Sequence, residues 1–188
     1  MKHLTAFNYL LGIILLLLLA GFAAPKLKTL NVTKEISVAL PQDFIIMPDD
    51  AIATEYPSPR KPLAAYTSAN GQIDFILTER PSMFRAEDLQ MVQQFYKASI
   101  NNKYSEVKFI RDEVKTIKKQ DYVIFEFTSM VRDEERKNSR IAPIRKYTIV
   151  QYAIYKNKLL IFTLNVPIDL REGWQDTAHK IMQSIKLS

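Results

Sequence analysis

The sequence predicts an α+β fold built on antiparallel strands, and three observations carry that expectation. Short runs rich in Val, Ile, Tyr and Phe recur along the chain, separated by turn-forming residues. Asn70-Gly71 and Lys156-Asn157-Lys158 each lie between two such runs, as hairpin tips do. Two longer stretches place apolar residues at helical spacing instead. With 188 residues, 4 glycines and no cysteine, the chain has the apolar content to form a core and no disulfide to support it.

At the amino terminus, Lys2 and His3 precede an uncharged apolar run from Tyr9 to Ala24 that contains Leu15 to Leu19. This is the layout of a secretory signal, and Gly21-Phe22-Ala23 supplies the small residues that cleavage after Ala23 requires. The alternative is an uncleaved anchor, since residues 9–24 approach the length of a bilayer span and Lys26 and Lys28 follow directly. Those two lysines oppose the usual cytoplasmic placement of basic residues, so the cleaved form is the expectation. Residues 1–23 are thus read as a signal, 24–31 as a linker and 32–188 as one domain of an extracytoplasmic protein, periplasmic or secreted. The net charge is +6, and +5 once Lys2 is gone; basic and acidic residues are interspersed, as on an ordinary soluble surface. Export makes nucleic acid an unsuitable partner, and membrane contact follows only if the apolar segment is retained.

Ile36 to Leu40 alternates as a strand and Pro41 closes it, because proline cannot donate to a ladder; Phe44 to Met47 reads as a second short strand. Pro48 to Pro62 is rich in proline, with Asp49, Asp50, Tyr56, Arg60 and Lys61 among them, and reads as an exposed loop and a candidate contact surface. Leu63–Thr67 and Ile73–Thr78 flank Asn70-Gly71 in a hairpin with an expected type I′ turn. Helical spacing then runs from Met83 to Asn101, with Leu89, Val92, Phe95, Tyr96 and Ile100 on one face and Glu87 and Asp88 in the first turn. Strands are expected at Val107–Ile110, Glu113–Ile117 and Tyr122–Val131, the last apolar on both faces and so covered on both. Arg132 to Arg145 is a charged connection and a second candidate contact surface, through Arg132, Arg136, Lys137 and Arg140. Tyr147–Tyr155 and Leu159–Val166 form the second hairpin, and Pro167 ends it. Asp169 and Glu172 then suggest a capping box for a last helix with Leu170, Trp174, Ile181 and Ile185 on its apolar stripe.

The front of this order, Leu40-Pro41-Gln42-Asp43-Phe44, and its back, Met182 to Leu187, resemble the PsbP-like superfamily, whose bacterial envelope members include the DcrB type. The resemblance implies an α/β/α sandwich with a central antiparallel sheet. It also implies a binding or assembly role, and it transfers no catalytic residue.

The residues offer little chemistry of their own. His179 is the only histidine outside the leader; Asp176 is three residues away, but no serine elbow accompanies them, and His179 reads as a helix-surface residue. Asp49-Asp50 and Asp133-Glu134-Glu135 lack the spacing of a calcium loop, so no metal or cofactor is expected. Asp74 and Glu126 stand in apolar strands and invite comparison with a glycosidase pair; solvent-facing edges or pairing with a base is the commoner explanation. The expectation is therefore a non-enzymatic accessory protein with an envelope protein partner. The alternatives are a small-molecule or lipid carrier with a pocket at Tyr152, Phe162 and Trp174, or a membrane-anchored subunit of an envelope complex.

Overall fold

A computed structural model of the chain describes residues 25–131 and 143–188. The expected signal and most of the Arg132 to Arg145 connection lie outside those residues. In order, the elements are β1 (Leu27–Asn31), β2 (Ile36–Pro41), β3 (Ile45–Ile46), α1 (Asp49–Glu55), β4 (Ala64–Thr67), β5 (Asp74–Pro81) and α2 (Leu89–Lys103). They continue with β6 (Glu106–Ile117), β7 (Gln120–Val131), β8 (Ile144–Tyr155), β9 (Lys158–Pro167), a 3-10 turn (Ile168–Leu170), α3 (Arg171–Ser184) and β10 (Lys186–Leu187).

Seven strands make one antiparallel sheet in the order β3-β4-β5-β9-β8-β7-β6. Its central strands are buried on both faces, as the unbroken apolar run in β7 requires. On one face, α2 lays Val92 and Ile100 over Phe125, Phe127, Val150 and Tyr152. On the other, α3 packs Ala178, Ile181 and Met182 over Phe75, Leu77, Phe162 and Leu164. This is the helix-sheet-helix sandwich that the sequence resemblance implies. A second sheet, β1-β2-β10, extends the α3 side with Ile36, Val38 and Leu40 buried in the same cluster. Residues 27–31, read as linker, are its strand β1, paired with β2 from Leu27↔Pro41 to Asn31↔Ser37. Ser184 joins the sheet to the end of α3, its Oγ accepting from the Ala39 N–H at 2.8 Å.

The segment read as a loop at Pro48 to Pro62 contains α1. Pro48, which has no N–H to leave unsatisfied, stands at the N-cap; Asp49 and Asp50 occupy the first turn, where the helix dipole favours acids. Ile52 anchors this turn against Met47, Ala65 and Ile76. Helix α2 begins at Leu89 and not near Met83, because Asp88 folds back on its own loop: Oδ2 accepts from the Arg85 N–H at 2.9 Å and the Asp88 N–H bonds Arg85 O at 3.0 Å. Glu87 and Asp88 therefore precede the helix. At the last helix, Asp169 sits in the 3-10 turn and Leu170 is the N-cap with no side-chain bond, so the expected capping box does not form.

Turn chemistry sets the registers. Lys118 and Lys119 have φ of 50° and 69°, and Lys156 and Asn157 have 49° and 61°, so both pairs form two-residue tips with both central residues left-handed. At the Asn70-Gly71 hairpin only Gly71 is left-handed, at φ 68°, and the turn is wider than type I′. There Gly71 N–H bonds Ser68 O at 2.8 Å, and Ser68 Oγ accepts the Ile73 N–H at 3.0 Å.

Strand β6 joins the two expected runs Val107–Ile110 and Glu113–Ile117 through a bulge: Phe109 pairs Phe127, but Arg111 pairs Glu126. The extra residue, Ile110, reverses the facing of the residues after it, since side chains alternate. Phe109 thus packs on the α2 side, Arg111 faces α3, and Asp112 returns to the α2 side. There Asp112 accepts from Lys97 and Gln93, each at 2.6 Å. Burial alone would raise the Asp112 pKa, but those two bonds hold the carboxyl below its ordinary value.

Left-handed lysines cost about 1 kcal/mol each, a penalty that asparagine and glycine largely avoid. The single change Lys119→Gly, which leaves the 2.6 Å bond from Lys118 Nζ to Ser184 O in place, is expected to raise stability by about 1 kcal/mol, read as the urea midpoint. A lower midpoint would show that this tip does not adopt the two-residue turn.

Candidate functional site

Two groups of polar and aromatic side chains stand out, one on each face of the main sheet. On the α3 face, strand alternation directs Glu126 inward from the middle of β7, where it is 1% exposed. A buried carboxylate must be met by donors, and four converge on it. Tyr147 Oη donates to Oε1 at 2.7 Å, and Gln175 Nε2 to the same oxygen at 3.3 Å. His179 Nε2 stands 2.9 Å and Arg111 Nη2 3.3 Å from Oε2. A carboxylate only accepts, so His179 Nε2 carries the hydrogen that points at Glu126, and the 3.4 Å between His179 Nε2 and the donor-only Arg111 Nη2 is a juxtaposition of two donors. The Tyr147 phenol is pushed far above its ordinary value by burial first, then by its bond to Glu126 and the charge of that carboxylate.

On the α2 face, a cleft of about 560 Å³ opens between α2 and the segment that follows α1. Phe127, Val150, Tyr152 and Ile161 form its floor; Tyr56, Arg60 and Pro62 stand on one wall, and Tyr96, Ile100 and Tyr104 on the other. Tyr96 stacks on Tyr152 with ring centroids 4.1 Å apart. Burial drives the Tyr152 phenol far above its usual range and raises Tyr104 and Tyr96 as well.

One end of the cleft is polar. Tyr56 Oη donates to Asp74 Oδ2 at 2.7 Å and accepts from Asn165 Nδ2 at 3.1 Å, while Thr67 donates to Asp74 Oδ1 at 2.7 Å. The Tyr56 phenol is held far above its usual value by burial and by the Asp74 charge. The exposed rim carries Arg80 and Lys103 beside Arg60, with Glu55 as the acid; the Glu55 carboxyl is raised by partial desolvation and by the charge of Asp74.

The structure separates the residues singled out in the sequence. Tyr56 and Arg60 line the cleft; Asp49 and Asp50 lie on α1, with Asp49 paired to Lys61 at 2.6 Å across exposed surface. Arg132, Arg136, Lys137 and Arg140 lie outside the described residues. The expected pocket of Tyr152, Phe162 and Trp174 does not exist as one site. Tyr152 is directly opposite Ile161 in the β8-β9 ladder, so it faces α2, whereas Phe162 and Trp174 belong to the α3 side. Asp74 and Glu126 are buried rather than at solvent-facing edges; Glu126 instead pairs with a base, Arg111, and the two acids lie on opposite faces of the sheet, which rules out a shared glycosidic site. His179 is not a plain helix-surface residue, and its partner is Glu126, not Asp176. The Glu126 cluster escapes sequence reasoning because its partners come from β6, β8 and α3. The one available sign is a lone acid in the apolar run of β7.

No protein-family model matches the sequence, and no curated protein matches it. Among solved structures, the chain is similar to cyanobacterial PsbP (CyanoP) from Synechocystis at a TM-score of 0.62 and 15% identity, covering 89% of this chain and 95% of that one. It is also similar to the Ran-binding protein Mog1p of Saccharomyces cerevisiae, at a TM-score of 0.56 and 10% identity over 87% and 96% of the two chains. The fold is PsbP-like.

Replacing Glu126 by glutamine places an amide against Arg111 and His179 and is expected to cost about 3 kcal/mol in urea unfolding. An unchanged midpoint would show that the four donors are not coupled to the fold through this carboxylate.

Proposed function

We propose that this chain is a non-enzymatic accessory protein of the cell envelope that binds a protein partner in the cleft on the α2 face. The cleft itself is the observation that carries the reading. Its floor is a rigid, two-sided sheet, its lining is aromatic, and its rim sets Arg60, Arg80 and Lys103 against Glu55. Such a site suits an apolar side chain on a segment with acidic flanks: the aromatic rings supply contact area with little rotamer entropy to lose, and the basic rim selects the flanking charge. The description of Mog1p as Ran-binding supports a binding role on this fold. Saturation of Glu126 by four donors favours a structural role for that carboxylate over general-base catalysis.

The size of the cleft favours a second reading, a small-molecule carrier, because it falls within the range of ligand pockets, roughly 300–1,000 Å³. Native mass spectrometry of gently purified protein separates the two, with bare mass favouring the protein partner.

In a pull-down from envelope extract, Tyr104→Ala and the pair Arg60→Glu with Lys103→Glu are expected to reduce partner recovery at least roughly tenfold, the size of a hot-spot loss. Full recovery with both variants would remove the cleft from the interface.

The location in the envelope rests on the leader-like first 23 residues. Amino-terminal sequencing of protein recovered from the envelope is expected to begin at Ala24. A chain beginning at Met1 would instead favour an anchored subunit.

A further inference from the structure

A second cavity, about 280 Å³, lies on the α3 face beside the Glu126 cluster, across the sheet from the cleft. Cross-strand register lays out the sheet beneath it. Arg111, Glu126 and Ile149 form one rung across β6, β7 and β8; Glu113, Ile124 and Gln151 form the next; Lys115 and Tyr122 form the third. Helix α3 closes the other side with His179, Met182 and Gln183.

The polar atoms of this face are unevenly served. Gln151 lines the cavity and is 2% exposed, yet its Oε1 has no hydrogen-bond partner. An amide flip would exchange oxygen for nitrogen and leave the buried atom equally in need of one. Only one other buried side-chain atom among the described residues shares this condition, the phenolic oxygen of Tyr122 on the adjoining rung. Burial alone pushes that phenol up to about 12. An unmet buried polar group is destabilising, and leucine in place of Gln151 would avoid that cost, so the amide is poorly explained by packing.

The charges at the cavity are unequally paired. Arg111 is met by Glu113 at 3.8 Å and by Glu126 at 3.3 Å, whereas Lys115 makes no ion pair among the described residues. Glu126, below the lining, is already met by its four donors. Ile124, Ile149 and Met182 supply an apolar wall.

We propose that this cavity binds a short hydroxycarboxylate. Its carboxylate sits against Lys115, its carbon chain against Ile124 and Met182, and its hydroxyl pairs with the Gln151 amide. A hydroxyl suits this position because it both donates and accepts, and so satisfies the amide in either orientation.

The test is calorimetric and NMR titration of the full protein with 3-hydroxybutyrate and lactate, beside butyrate, which lacks the hydroxyl, and 1,3-butanediol, which lacks the carboxylate. At least one hydroxy acid is expected to saturate at millimolar concentration, with butyrate and the diol at least roughly tenfold weaker, as when a buried polar group loses its match. Gln151→Leu is expected to fold with equal or greater stability and to weaken the hydroxy acid by the same factor, and Lys115→Ala to weaken it without unfolding the chain. Amide shifts should centre on Ile124, Gln151 and His179. The proposal is overturned if neither hydroxy acid saturates, if Gln151→Leu keeps full affinity, or if the shifts centre on Tyr104 and Tyr152 in the opposite cleft.

Discussion

Strands β7 and β8 are apolar on both faces, and a sheet of that kind is stable only when both faces are covered. The rest of the molecule answers that requirement. Helix α2 covers one face and α3 the other, and the small sheet β1-β2-β10 extends the second cover where α3 is too short to reach. The two covers differ in completeness. Helix α3, with its added sheet, encloses a large continuous core; α2 and the short α1 leave a gap between them, and that gap is the cleft. The proposed binding surface is thus the part of an obligatory cover that was left open.

Two acids enter this apolar sheet, and each is met by a different kind of chemistry. Asp74, on the α2 face, is held by the hydroxyls of Tyr56 and Thr67, so its charge is solvated by neutral donors at the end of the cleft. Glu126, on the α3 face, is met by a guanidinium and an imidazole as well as by a phenol and an amide. The first arrangement ties the wall after α1 to the sheet. The second ties α3 to β6, β7 and β8. Both tie a covering element to the sheet beside a site where binding is proposed.

Local signals in the sequence are sufficient for most of the sheet. Asn157 at a tip, alternating Val, Ile, Tyr and Phe, and Pro167 after β9 each act within a few residues, so the hairpins and the two main helices are legible. The features that escape depend on residues distant in sequence or on competition between local bonds. Helix α1 is held by Ile52 packing on Ala65 and Ile76, which no window around Pro48 reveals. The late start of α2 depends on the Asp88 carboxylate choosing the Arg85 N–H. Strand β1 needs β2 beside it to be a strand at all. The site is less legible than the fold: Tyr152 and Phe162 belong to neighbouring strands, and only the β8-β9 register shows that they face opposite ways.

The bulge at Ile110 bears on more than the facing of Arg111. Strand β6 ends the main sheet, and its twelve residues would otherwise offer a long, straight row of unpaired backbone groups to any passing chain. The extra residue breaks that row near its middle and twists the outer strand, while Lys108, Arg111, Glu113 and Lys115 along it make an incoming strand desolvate charge. The opposite edge is protected differently, because β3 is only two residues long, too short a template despite its exposed Ile45 and Ile46. The same irregularity that aligns Arg111 with Glu126 therefore also interrupts the edge as a template for an incoming strand, and straightening β6 would restore that template.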